Sequence, residues 1–453
     1  MKSVKRSQYI ISLFIIIFIA GMTALVIKIR TEASFYMMNS DEQVLGMVYD
    51  RNGGVLFDGT GKGQYEDNFF VDVGNLIGDN KGQMTNTLVA QNLDKLNNYS
   101  FSSGTVDDGK SAIYTTLDHN ANRTVYNTYG FQKGCAVAYN YKTGEILVCT
   151  SLPSIDVTKG YDGIEYFESG TLISKNMYRT VPGSTQKVST VISALEIMGA
   201  DKLFSKVYNC SAHYTNLNGD VIDCHNLSGH GDQNIQQALE NSCNPFFAQL
   251  IEDDKDLPLE DIIKQYRKMG YAVNDDDDDK YIDIDGIQCE KASTTLVDSH
   301  EFRTQWGCIG QGDTMVSPIQ LMMWQSAIAN GTGRMTMPYL IDHVTDVEGN
   351  ITETAETEFS KQIFSADTAS TVRQMLLTNG ANHYVYSISG YTVGVKSGTA
   401  QVDEGAKENS LLVGFVDDPN KPIAFCILIE DKNSGYLTTE QVAKTMLDSI
   451  NLQ

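Results

Sequence analysis

Cysteine is scarce in this chain. Its eight residues in 453 lie at positions 135, 149, 210, 224, 243, 289, 308 and 426, too far apart for the disulfide framework that staples small secreted domains. Basic side chains are also short. Against 57 Asp and Glu there are 34 Lys and Arg, a formal charge of -23, and a surface of that sign repels phosphate, which argues against nucleic acid as a partner. Low-complexity sequence is missing too, and with 42% apolar and 20% charged residues the composition is that of a folded chain of roughly two or three domains. The run of five aspartates from Asp275 to Asp279 carries no calcium-loop spacing and reads as a solvated loop.

One long apolar run is present. Residues Tyr9 to Ile27 are enough to cross a bilayer as a helix. Lys2, Lys5 and Arg6 precede it and Lys28 and Arg30 follow, so the charge bias places the N-terminus in the cytoplasm and the bulk of the chain outside. A cleavable signal peptide is the competing reading, supported by the small residues in Ala20-Gly-Met-Thr-Ala24. The length of the run favours an uncleaved anchor, and no cysteine for lipid attachment follows it.

Residues 1–30 thus read as a cytoplasmic terminus and anchor, 31–125 as a small pedestal and 126–453 as the main domain. In the pedestal, Val44 to Phe57 predicts a hairpin turning at Asn52-Gly53, and Thr85–Leu96 and Asn120–Tyr129 predict short helices. Gly134 to Ser151 predicts a second hairpin. Tyr391–Ala400, Ser410–Val416 and Pro422–Glu430 predict three more strands of one antiparallel sheet, and helices are expected from Ser317-Pro318 to Ala329, over Ser365–Thr378 and over Thr438–Ile450. The class is α+β.

Chemistry concentrates at Val181-Pro-Gly-Ser-Thr-Gln-Lys-Val-Ser-Thr190. Pro182 and Gly183 punctuate the chain and the apolar residues beyond recur at helical spacing up to Gly199, so Ser184 should open a buried helix. Lys187 then shares its face. A desolvated lysine can take the proton of a serine hydroxyl, and the helix N-terminus offers N–H groups to an oxyanion. Short motifs of this kind match by chance often, but this is the sole Ser-x-x-Lys in the chain. Ser242-Cys-Asn244, at a junction of two expected helices, and Lys396-Ser-Gly398, on an expected strand, follow in that order. Ser174-Lys-Asn176 and Lys142-Thr-Gly144 match the second and third patterns but stand out of order, the latter in the turn of a hairpin.

The ordered set is the signature of penicillin-recognising serine enzymes. With Asp50-Arg-Asn-Gly53, Thr143-Gly-Glu-Ile146, Gly310-Gln-Gly312, Ser317-Pro-Ile-Gln-Leu321 and Lys396-Ser-Gly-Thr-Ala-Gln401, the chain resembles the class B penicillin-binding proteins, monofunctional D,D-transpeptidases that cross-link peptidoglycan. The resemblance implies a transpeptidase domain with a five-stranded antiparallel sheet between helices, raised from the membrane on a pedestal. It implies acylation by β-lactams, peptidoglycan stem peptides as substrates, a membrane-embedded glycan polymerase as partner, and neither cofactor nor metal in catalysis. In that scheme Ser184 attacks, Lys187 accepts its proton, Ser242 relays a proton to the leaving amine and Asn244 binds the substrate amide. Lys396 and Ser397 hold the substrate carboxylate, Gly398 leaves room along the strand, and the Thr399 N–H completes an oxyanion hole with that of Ser184.

The chain departs from the family in its short pedestal and in Glu408-Asn-Ser410, where many members carry a His-Ala-Trp-like segment. A β-lactamase is the nearest alternative, but its deacylating glutamate lacks a separate loop here, because Glu240 to Asn244 overlaps the second motif. A D,D-carboxypeptidase shares all three motifs, and a β-lactam sensor or idle scaffold could dispense with one of them. Cys210 and Cys224 bracket a hairpin turning at Asn218-Gly219, and outside a membrane they could close a disulfide. With His225 and His230 they could instead bind zinc, though the spacing fits no standard ligand set. Free buried thiols are the third reading.

Overall fold

The computed structural model describes residues 2–37, 44–63, 71–100, 104–274, 280–432 and 436–452; the five-aspartate run lies outside them. Helix α1 (Lys2–Met37) contains the stretch Gln8–Lys28, of mean hydropathy 2.9, which is long and apolar enough to cross a membrane by length and composition. The hairpin expected at Asn52-Gly53 forms from β1 (Met47–Tyr49) and β2 (Val55–Asp58), and β3 (Ala112–Thr115) lies parallel to β1. Only Leu88–Gln91 of the expected Thr85–Leu96 helix is helical. Asn92 ends it, with a side chain that bonds back to the Leu88 carbonyl at 3.0 Å and across to the Asp285 carbonyl at 2.8 Å.

Helix α2 (His119–Tyr129) is capped by the Asp118 carboxylate, which accepts from the Ala121 N–H at 3.1 Å. It leads into the long hairpin β4 (Gly134–Asn140) and β5 (Ile146–Leu152), every residue of which is buried. The buried helix α3 (Lys187–Met198) follows. Next comes an excursion of short strands, β6 (Tyr208–Cys210), β7 (His213–Thr215), β8 (Val221–Asp223) and β9 (Gly231–Gln233), in which β7 and β8 form the hairpin predicted around Asn218-Gly219. Helices α4 (Ile235–Glu240) and α5 (Asn244–Ile251) meet at Ser242-Cys243, and α6 (Phe302–Ile309) and α7 (Pro318–Ala329) follow. Ser317 caps α7 with Pro318 in its first turn, as expected.

Strands β10 (Ile341–Thr345) and β11 (Ile351–Thr354) then return to the N-terminal region. The first sheet runs β11-β10-β3-β1-β2, so it is completed by residues far along the chain. Helix α8 (Ala366–His383), β12 (Val393–Val402), β13 (Lys407–Val416), β14 (Ile423–Ile429) and α9 (Thr439–Ser449) finish the fold. The second sheet has the order β12-β13-β14-β4-β5 and is antiparallel throughout.

This second sheet is covered on both faces, and β14 shows how. Its side chains alternate, with Phe425, Ile427 and Ile429 packing among Val125 of α2 and Val442 and Met446 of α9, while Ala424, Cys426 and Leu428 face the layer of α3 and α7. Burying each such side chain contributes about 2 kcal/mol, which explains why β14 is an unbroken apolar run. Helix α2, placed by its sequence at the end of the pedestal, packs on this sheet instead. Asn122 fixes it there, donating to the Leu147 carbonyl and accepting from the Cys149 N–H, both at 2.9 Å.

Strand β12 is an edge. At its start the edge is closed by α8, since Asn379 donates to the Val395 carbonyl at 2.8 Å and a Cβ on Gly380 would stand 1.8 Å from the Val393 carbonyl oxygen. Beyond Lys396 the edge turns toward a cavity.

Candidate active site

The segment around Ser184 is tighter than its sequence suggests. Gly183–Gln186 is a 3-10 turn, and the α-helix starts only at Lys187. A close approach at Gly183 compresses it: this residue has φ +54°, and a Cβ there would lie 2.5 Å from the Thr399 carbonyl oxygen of β12. Thr185 locks the turn by donating to the Pro182 carbonyl at 2.7 Å. In a 3-10 turn the side chains of residues three apart eclipse. Lys187 therefore stands directly over Ser184, with Nζ 2.7 Å from Oγ.

The lysine is completely buried, and its amine also meets Asn244 Oδ1 at 2.7 Å, the Ser242 carbonyl at 2.9 Å and Ser242 Oγ at 3.2 Å. Burial, and after it the positive charge of Lys396, hold Lys187 well below the ordinary lysine range. A neutral amine has two protons and one lone pair. The two carbonyl-type oxygens can only accept, so they take both protons and leave the lone pair to a hydroxyl. The nearer hydroxyl is that of Ser184.

Ser242 occupies the junction between α4 and α5 with φ +53°, a left-handed conformation that is rare and costs about 1 kcal/mol for a non-glycine residue. Its hydroxyl lies between two amines, for Lys396 Nζ approaches from the other side at 3.2 Å and also donates to the Ser397 carbonyl at 2.8 Å. Lys396 is 1% exposed, and burial brings it down to about 7. Asn244 is steadied by donating to the Asp223 carbonyl at 3.0 Å.

Ser184, Ser242, Asn244, Ser397 and Thr399 all line one cavity of about 310 Å³. The Thr399 carbonyl accepts from the Gln311 side chain at 3.2 Å instead of pairing with β13. Because the N–H and C=O of one residue in an antiparallel strand point the same way, the Thr399 N–H faces the cavity side as well. Gly398 is the exception among the expected site residues. The place of its missing side chain is filled by protein, 2.8 Å from the Pro182 carbonyl oxygen, so glycine is needed there to seat β12 on the Ser184 turn.

Six further residues line the cavity: His225, Trp306, Ile309, Gln311, Gln401 and Glu408. Gln311 and Gln401 belong to motifs visible in the sequence and His225 to the Cys and His group read there as a possible zinc set, whereas Trp306 and Ile309 come from a segment with no chemical pattern of its own. Glu408 is ion-paired with Lys432 at 2.7 Å. The two out-of-order motif matches are structural. Lys142 lies in the β4–β5 turn and donates to the Pro419 carbonyl at 3.0 Å, and the buried Asn176 donates to the Thr150 carbonyl at 3.0 Å.

This arrangement agrees with the comparison to known proteins. The family model described as penicillin binding protein transpeptidase domain matches residues 134–448. The chain belongs to that family. Stage V sporulation protein D of Bacillus subtilis is 29% identical over 303 residues, covering 63% of this chain and 43% of that protein. Peptidoglycan D,D-transpeptidase FtsI of Buchnera aphidicola is 24% identical over 329 residues, covering 70% of this chain and 52% of its own length. The chain thus spans about half the length of the curated relatives it matches. Among solved structures, penicillin-binding protein A of Mycobacterium tuberculosis as its ceftriaxone acyl-enzyme complex superposes with a TM-score of 0.77 at 18% identity, over 90% of this chain and 98% of that one. At that identity the likeness establishes the fold.

Proposed function

We propose that this penicillin-binding protein is a class B, serine-dependent peptidoglycan D,D-transpeptidase, anchored by α1 with its N-terminus in the cytoplasm. The observation that carries the reading is the Lys187 amine, buried, within 2.7 Å of Ser184 Oγ and within reach of Ser242 Oγ. Ser184 Oγ attacks the penultimate D-alanyl carbonyl of a stem peptide while its proton passes to Lys187 Nζ. The oxyanion is met by the N–H groups of Ser184 and Thr399. As the C–N bond breaks, the proton moves from Lys187 through the Ser242 hydroxyl to the departing D-alanine amine, leaving an ester on Ser184. An acceptor amine from a second stem peptide then attacks that ester and its proton returns by the same route. Lys396, with Ser397, binds the terminal carboxylate. A β-lactam enters the same sequence and stops at the ester, because its amine stays tethered in place.

The relatives and structural neighbours fit this reading, for they include proteins named as D,D-transpeptidases and a β-lactam acyl-enzyme. A β-lactamase needs a carboxylate free to activate water. Glu240 is taken up by Gln236, Asn382 and His383 and does not line the cavity. The glycan polymerase expected as partner and a D-Ala-D-Ala carboxypeptidase side reaction belong to the same proposal.

Fluorescent penicillin should label the full chain covalently, and Ser184→Ala should abolish the label; a label that survives the substitution refutes the assignment. Slow turnover of a chromogenic cephalosporin is expected, and rapid turnover would make the protein a β-lactamase. Cross-linking of lipid-linked precursor in the presence of a polymerase tests the substrate directly.

A further inference from the structure

Behind the cavity, the excursion β6–β9 folds over the start of α5 and brings together four residues that are distant in sequence. Cys210 ends β6, Cys224 follows β8, His230 precedes β9 and Cys243 precedes α5, and their ligand atoms all lie within 4.8 Å of one another. All three thiols are buried and none is in a disulfide. His230 Nδ1 is 3.7 Å from Cys210 Sγ and 3.4 Å from Cys224 Sγ. For a tetrahedral zinc ion, with about 2.3 Å to sulfur and about 2.0 Å to nitrogen, the edge from sulfur to nitrogen is about 3.5 Å. The observed spacing is that of ligands around a common centre.

The surroundings are built for thiolates. The backbone N–H of Asn226 is directed at the Cys224 sulfur and that of Phe246 at the Cys243 sulfur, the kind of N–H support that stabilises metal-bound sulfur. Gln233, 2% exposed, bonds through its oxygen to Asn241, while its amide nitrogen has no oxygen or nitrogen partner and lies against Cys243. A thiolate held by a metal supplies the missing acceptor. His225, which the sequence offers as an equally good ligand, is excluded from the cluster and turns to the cavity.

We propose that Cys210, Cys224, His230 and Cys243 hold one structural zinc ion that fastens the Ser242–Asn244 segment to the excursion beside it. Three soft, buried thiolates and one half-buried imidazole fill all four positions of a tetrahedron, which suits zinc in a structural role, since no position is left for a substrate. Its location gives it a purpose. Cys243 sits between Ser242, whose backbone is in a strained left-handed conformation, and Asn244, which is bonded to the residue before Cys224. A metal bond at Cys243 holds in register the two side chains that face Lys187.

The test uses the full chain in detergent, expressed with zinc and purified without chelator or reductant. Plasma mass spectrometry should find about one zinc per chain, and Cys210→Ser, remote from the cavity, should fall below about a tenth of an equivalent. Cobalt(II) added to protein freed of zinc should give the intense thiolate charge-transfer absorption of a cysteine-rich tetrahedral site. Wild-type protein with less than about a tenth of an equivalent of zinc, equal zinc in wild type and Cys210→Ser, or mass-spectrometric detection of a disulfide between any two of the three cysteines would overturn the proposal. Should the variant not fold, metal content and the cobalt spectrum of the wild-type chain decide alone. A second arm rests on the acyl-transfer reading: Cys210→Ser should acylate at least tenfold more slowly with penicillin. Loss of zinc without that slowing leaves the metal site standing and removes only its link to Ser242.

Discussion

Replacing Lys396 by methionine should make the protein more stable while depriving it of acylation. The lysine titrates near 7 in the fold because burial disfavours its charge, whereas an unfolded lysine titrates near 10.4. That difference costs the folded state about 4 to 5 kcal/mol at pH 7 and below, where the unfolded chain is fully protonated. Methionine fills a similar volume without the penalty. Removing the donor leaves Ser242 Oγ and the Ser397 carbonyl short of a hydrogen bond each, which returns about 1–3 kcal/mol. A net gain of about 2 kcal/mol should raise the thermal midpoint by about 5 °C. The sign with pH follows. Between pH 7 and about 10.4 the folded wild type binds fewer protons than the unfolded chain, so its stability rises through that window, and the advantage of methionine disappears part-way and reverses to a deficit of about 1–3 kcal/mol at the upper end, where only the lost hydrogen bonds count. Midpoints measured by scanning calorimetry at pH 7 and pH 10 check both points. A variant no more stable than wild type at pH 7, or an advantage that does not shrink by pH 10, would refute the argument.

Lys187→Ala should lose penicillin acylation by at least a hundredfold with its circular dichroism unchanged, and normal acylation would dismiss Lys187 as the base. The acylation rate of the wild type should rise with pH as Lys187 gives up its proton and fall again above about pH 7 as Lys396 loses its charge, the fall shifting upward when a bound carboxylate stabilises the ammonium; a flat stopped-flow profile from pH 5 to 10 contradicts this. Gly183→Ala, forced to hold φ +54° with Cβ against the Thr399 carbonyl, should destabilise the domain by about 2–3 kcal/mol and slow acylation, measured by calorimetry and penicillin labelling.

The Ser184 site was legible because each motif carries its own local signal: a punctuated turn before a buried helix, a junction of helices, and a strand. What local sequence could not convey was compression. The 3-10 form of Gly183–Gln186 depends on β12 pressing from above, a contact between residues far apart in the chain. The same holds for β10 and β11, whose pairing with β3 leaves no trace in their own periodicity. Trp306 and Ile309 read as ordinary residues of α6 until the fold turns them to the cavity. The four sulfur and nitrogen ligands were visible one by one, but they come from four elements, so no short spacing announced them.

The completion of the first sheet by β10 and β11 bears on how the chain is made. Strand β3 pairs with β1 as soon as both exist, but its other edge waits for β10, on the order of two hundred residues later. At about 5–20 residues per second of synthesis that is roughly ten to forty seconds. Through that interval the open edge of β3 is a template for pairing with another chain, so the newborn protein passes through an aggregation-prone stage that ends only when Ile341–Thr345 arrives.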